Sequence, residues 1–135
     1  ESILQHAVIE GRIFSNGSGV GHNLELRGKG EPLSGGGKSS GSLSFFGCFD
    51  KQAGIIKSGG KSRRAARMTT MRYHHPDIME FIEAKLHEDY KALLLMKAGI
   101  EPGFEGEAYT TVAYQNTNLS IRLDNHFFYQ LKKNG

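Results

Sequence analysis

"SLSFFGCFDKQAGIIKSGGKSRRAARMTTM", residues 42–71, holds three kinds of sequence in a row. Leu43, Phe46, Phe49, Ala53 and Ile56 recur at helical spacing and predict one buried helix face. "AARMTTM" (65–71) reads as a short strand. Between them, "KSGGKSRR" sets a Gly-Gly pair before Lys61, Arg63 and Arg64. A helix, a glycine-rich basic loop and a strand in succession are the repeating unit of an α/β fold.

Working outward, the same alternation recurs. Residues 2–10 carry Ile3, Leu4, Ala7 and Val8 at helical spacing, with Gly11 as the expected stop. A short strand is expected near Val20–Leu24, inside an otherwise loop-like 15–41. In "HHPDIMEFIEAKL", Pro76 suits a first helical position and Asp77 a first turn, with Ile78, Phe81 and Ile82 inward. A second helical stretch, 87–98, ends before Gly99, and "EPGFEGEAY" reads as a turn-rich connection. "NLSIRL" alternates Leu119, Ile121 and Leu123 like a half-buried strand, and Asp124 then caps a last helix with Phe127, Phe128 and Leu131. Only two or three strands are visible, too few to close a sheet, and there are no internal repeats.

Composition narrows the function classes. At 135 residues, 38% hydrophobic and 23% charged, the chain is ordinary for one globular domain. No apolar run approaches the roughly 20 residues of a membrane span, and "ESILQHAVIEGR" lacks the basic start and small-residue cleavage site of a signal peptide. A single cysteine, Cys48, fits a reducing cytoplasm and is expected to be a small core residue. The net charge of +3 hides a segregation: Lys51–Pro76 contains seven basic residues and no acidic one, so the remainder is net negative. So local a cluster suits one small anionic ligand better than a broad nucleic-acid face.

Fourteen of the 18 glycines lie in residues 1–60. A flexible linker is one reading of "SNGSGVGHN" (15–23) and "RGKGEPLSGGGKSSG" (27–41). The other is a backbone that must approach a ligand closely or adopt positive φ. "GSGVGHN" lacks the spacing of a dinucleotide fingerprint, and "SGGGKSSG" fails the Walker A pattern because Pro32 stands where its first glycine belongs. His74 and His75 are adjacent, point different ways and suit a solvated helix-capping role. Glu80, Glu83, Glu88 and Asp89 read as a solvated face, and no triad or metal site is apparent.

Taken together, the string from about Ile9 to Lys85, with its "SGGGKSSG", "IKSGGKSRRAARM" and "HPDI" segments, resembles the large-subunit barrel of the ribonucleotide reductases. The resemblance resumes at "AYQNTNLSIRLDNHFF" (113–128), and the Arg63-Arg64 pair is similar to the adenosylcobalamin-dependent class. It implies an α/β fold, a partial segment of a ten-stranded α/β barrel, with residues 1–135 forming a single fragment of that domain. It implies radical conversion of ribonucleotides to deoxyribonucleotides. Ser18 and Gly19 would line the substrate ribose site, joined by Lys61, Ser62, Arg63 and Arg64. A first specificity loop would occupy roughly residues 20–34, with Arg27 facing the phosphate of a deoxynucleotide effector. A second, at 57–66, would use Lys57, Gly59 and Gly60 on the effector side. Implied partners are ribonucleotide substrate, deoxynucleotide effector, the remainder of the reductase chain, a second copy in a homodimer and a thioredoxin-like reductant, with adenosylcobalamin as cofactor and no membrane. The family's radical and redox cysteines have no match here, since Cys48 corresponds to neither, which reads as a fragment of a longer, cytoplasmic polypeptide. A stand-alone regulatory nucleotide-binding domain and a small basic nucleic-acid-binding module are the competing readings.

Overall fold

The structure, a computed structural model, describes residues 2–56, 66–103 and 106–134. Its elements run α1 (Ser2–Ser15), β1 (Val20–Asn23), α2 (Ser42–Ile55), β2 (Arg67–Arg72), α3 (Ile78–Lys97), α4 (Glu107–Thr111), β3 (Thr117–Arg122) and α5 (Asn125–Asn134). The strands form one parallel sheet in the order β1-β2-β3, with Val20, Arg67 and Thr117 in register. Parallel neighbours cannot be joined by a tight turn, so each connection carries a helix: α2 in the first, α3 and α4 in the second. The α/β reading holds. Among the described residues the strands make a three-stranded sheet rather than a closed barrel.

The core follows from strand alternation. On β2, Arg67, Thr69 and Met71 are buried while Met68 is exposed, so the odd-numbered side chains face the helices. Met71 joins Leu24, Phe46 and Phe81 in a fully buried cluster, with Leu26, Leu43, Ile78, Tyr114 and Leu119 packed around it. Phe46 and Tyr114 stack with ring centroids 4.5 Å apart. The inward face expected for α2 is borne out at Phe46, Phe49 and Ala53. Cys48 is a correction: it is exposed, because two residues beyond Phe46 a helical side chain has turned to the opposite face.

Other boundaries move for physical reasons. Gly11 does not stop α1. A Cβ there would lie 2.9 Å from Gln52 Nε2 and 3.3 Å from Ile56 Cδ1, so the glycine admits α2 instead. The stop is Gly17 at φ 80°, with Gly17 N bonded to Phe14 O and Ser18 N to Ile13 O. α3 is one 20-residue helix where two were expected, and Gly99 at φ 92° ends it as anticipated. Pro76 lies in the turn before α3, and Ile82, expected inward, is exposed. The turn-rich 101–109 region contains the start of α4. Leu119 packs on the core, but Ile121 and Leu123 are exposed, as are Phe128 and Leu131 of α5. Asp124 does cap that helix, its Oδ1 accepting from Phe127 N at 2.9 Å.

Candidate functional site

The glycine-rich segment after β1 is a built loop, which removes the linker reading for 27–41. Gly30 N donates to Ser39 O, Ser39 N to Glu31 O and Leu33 N to Gly37 O, with Gly36 and Gly37 both at φ 87° in the reversal. Arg27 Nη1 donates to Pro32 O at 2.6 Å, and its side chain is exposed. His75, Pro76 and Asp77 clamp the loop from below. His75 Nε2 donates to Leu26 O at 2.7 Å while its Nδ1 accepts from Asp77 N. Pro76 fills the space beside Gly28, where a Cβ would come within 2.6 Å of its ring. Asp77 Oδ1 accepts from Lys29 N and Oδ2 from Ser42 N, each at 2.9 Å. That second bond caps α2, whose own N-cap, Gly41, has no side chain to offer. His75 is therefore buried rather than solvated, although it does bond a backbone amide at the start of α3.

At the other end of β1, Ser18 and Gly19 are exposed and link the turn at 16–17 to the strand. Val20 N donates to Ala66 O at 2.9 Å, and a Cβ on Gly19 would sit 2.9 Å from that same oxygen. The fold thus brings Gly19 against Ala66, the last residue of the 57–66 segment. Lys57, Gly59, Gly60, Lys61, Ser62, Arg63 and Arg64 lie outside the described residues. Arg27 is not beside Gly19, for it leaves the carboxyl end of β1 while Gly19 enters the amino end.

Arg67, counted with the loop cations in the sequence, is instead 2% exposed. Its Nε faces both Glu10 oxygens at 3.3 and 3.4 Å, Nη1 donates to Thr117 Oγ1 at 3.2 Å and Nη2 to His22 Nδ1 at 2.8 Å. The guanidinium also lies over the Phe49 ring, 5.1 Å from its centroid. Asp50 completes the network, accepting from Asn116 N at 3.0 Å and Thr117 Oγ1 at 2.8 Å. Burial pulls the Arg67 pKa down against the opposing charges of Glu10 and Asp50. Burial would raise Glu10, but His22, Arg67 and His6 outweigh it and hold the carboxyl below its ordinary value. Removing Arg67 from the surface thins the basic cluster and weakens the nucleic-acid-module reading. Glu88, expected on a solvated face, is also buried; it pairs with Lys91 and accepts from Ala113 N at 2.9 Å.

Donor atoms of His6, Glu10 and His22 all lie within 4.8 Å of one another, a grouping around Arg67 that the sequence did not single out. Sequence reasoning missed this group because residues 6, 10 and 22 form no compact motif. The only signal was a His and a Glu four apart on one helix.

Fold and site define a parallel α/β unit that presents glycine-rich loops at both ends of its first strand, one of them set against Ala66, where the basic segment ends. The chain belongs to the ribonucleotide reductase barrel-domain family, whose model matches residues 1–135. It is 47% identical to the vitamin B12-dependent ribonucleotide reductase of Rhodopirellula baltica over 99% of this chain and 13% of that protein. It is 45% identical to the protein so named in Streptomyces avermitilis, over 100% of this chain and 14% of the relative. The vitamin B12-dependent ribonucleoside-diphosphate reductase of Thermoplasma acidophilum is 44% identical over 57% of this chain. The chain thus spans about 13% of the length of the curated relatives it matches. No helix among the described residues is long and apolar enough to cross a membrane.

Proposed function

We propose that this chain is a segment of the catalytic barrel of an adenosylcobalamin-dependent ribonucleotide reductase, in which ribonucleotides become deoxyribonucleotides by radical chemistry. The relatives' names support that reading. Its support within the fold is the approach of Gly19 to Ala66, which leaves no room for a side chain and joins the glycine turn to the end of the basic segment. On this reading Ser18 and Gly19 offer backbone to the substrate ribose, and Lys61, Ser62, Arg63 and Arg64 meet its phosphates or base. Arg27 faces a deoxynucleotide effector across the first specificity loop (20–34), and Lys57, Gly59 and Gly60 serve it from the second (57–66). The remainder of the reductase chain supplies the rest of a ten-stranded barrel and the radical and redox cysteines. A second copy and a thioredoxin-like reductant complete the set of partners, in the cytoplasm.

The relatives' names imply vitamin B12 as the cofactor of the full-length enzyme, where the remainder of the reductase chain would hold it, and the described residues are given no part in its chemistry.

The test is a four-substrate competition assay on the full-length reductase with each deoxynucleotide effector in turn. Charge-assisted contacts contribute about 1.5–3 kcal/mol, or roughly one to two decades of affinity. Arg64→Ala is expected to raise substrate KM by that factor or to scramble which effector favours which substrate. Arg27→Ala is expected to weaken effector response with basal turnover intact. If both variants match the wild type, these loops do not read nucleotides.

A further inference from the structure

We infer that His75 and Asp77 are positioning residues for the effector: they fix the stretch of loop that presents Arg27, and so set how tightly a deoxynucleotide binds there. The inference rests on the reading of residues 20–34 as the first specificity loop and adds the side chains that hold that loop ready.

The contacts close around one residue. On one side of Arg27, Leu26 O accepts from His75 Nε2 at 2.7 Å. On the other, Lys29 N donates to Asp77 Oδ1 at 2.9 Å. Between them Gly28 is buried against Pro76, with no room for a Cβ. Arg27 O itself accepts from Ser39 Oγ at 3.2 Å, and that hydroxyl oxygen accepts in turn from Gly41 N at 3.1 Å. The backbone from Leu26 to Lys29 is thus tied at three points, while the Arg27 side chain stays exposed with its Nη1 on Pro32 O. Lys29 Nζ lies 3.6 Å from Glu80 on α3, so part of the loop's other charge is answered within the fold.

Capping α2 accounts for only one of the clamp's bonds. Asp77 Oδ2 does that through Ser42 N, but Oδ1 on Lys29 N and His75 on Leu26 O hold backbone that belongs to no helix or strand. Two buried polar side chains are therefore spent on a surface loop that carries an exposed cation. A loop held in this way meets an anion with its backbone already ordered, and less freedom is lost on binding. The clamp also sits at a fixed point. His75 N donates to Arg72 O at 3.0 Å, at the end of β2, and β2 starts directly after the 57–66 segment. Loosening the clamp lowers the fraction of molecules whose loop is competent to bind, and a competent fraction of about one tenth raises the apparent Kd about tenfold.

The experiment is calorimetric titration of the full-length reductase with each of the four deoxynucleoside triphosphates. Asp77→Asn leaves one oxygen for two amide donors. His75→Asn keeps an acceptor for Asp77 N and falls short of Leu26 O, whereas His75→Gln places an amide nitrogen near the position of Nε2. Asp77→Asn and His75→Asn are each expected to raise Kd about tenfold with the number of sites per chain unchanged, and His75→Gln to recover most of the loss. A purely structural role would instead remove sites and leave Kd alone, and that result, or wild-type binding in both variants, would overturn the inference. Arg27→Ala separates this from the reading beneath it. A raised Kd in Arg27→Ala beside wild-type Kd in the clamp variants sinks the clamp alone, while an unchanged Kd in Arg27→Ala sinks the loop reading and the clamp with it.

Discussion

Asp77 occupies the N-cap position of α3 and spends its carboxylate on two other segments, accepting from Lys29 N and Ser42 N. Each unpaired buried amide costs about 1–3 kcal/mol. Asp77→Ala is therefore expected to destabilise the fold by about 2–4 kcal/mol in urea denaturation, and Asp77→Asn, which keeps one acceptor, by about half as much. A loss under about 1 kcal/mol for Asp77→Ala would mean that the 24–41 loop is held by other contacts. The "HPDI" string stood out in the sequence, but the role read from it was local: an acid in a helix first turn. A side chain that serves backbone groups 35 and 48 residues away leaves no periodicity to read. Arg67 was misread for the same reason. Its neighbours in sequence are cations and its neighbours in space are Glu10, His22 and Thr117.

Among elements, α1 is the one whose meaning changed most. Gly11 looked like its end and is instead its contact with α2, so the helix runs on past Glu10 and carries that carboxylate into the core. The α2 face and the β2 alternation were legible because burial on one side of a regular element imprints its period. The limits of α3 were less so, since unbroken helix formers give no internal boundary. Glu10 also sets an acid limit. Its pKa in the fold lies below the ordinary 4.5 because its partners outweigh burial, and that of Glu88 is lowered in the same balance. The native state thus binds these protons more weakly than the unfolded chain. The resulting stability is in full force above the ordinary glutamate value and is lost as pH falls through the lower native values. The urea midpoint should decline below about pH 4.5, and Glu10→Gln should lower it at neutral pH while flattening the decline. An unchanged slope in Glu10→Gln would place the acid sensitivity elsewhere.

At the scale of the whole molecule, the alternation of helices, loops and short strands was enough to give an α/β class, and the long glycine-rich string gave the family. The buried polar network escaped because it joins positions on α1, α2, β2 and β3. The chain through β2 carries Asp50 on α2 and Arg67 on β2 into the interior, yet Asp50 accepts its hydrogen bonds from Asn116 and Thr117, and Arg67 donates one of its own to Thr117. A version ending at residue 112 would keep those charges without these partners. It is expected to bind hydrophobic dyes and to melt without a cooperative transition, whereas a sharp melt would show that Glu10 and His22 suffice for Arg67. On the ribosome the same dependence becomes a matter of timing. The nascent chain through β2 waits for some 45 further residues, at about 5–20 per second, before its charged interior can close. For those seconds it is the kind of half-settled surface that chaperones hold.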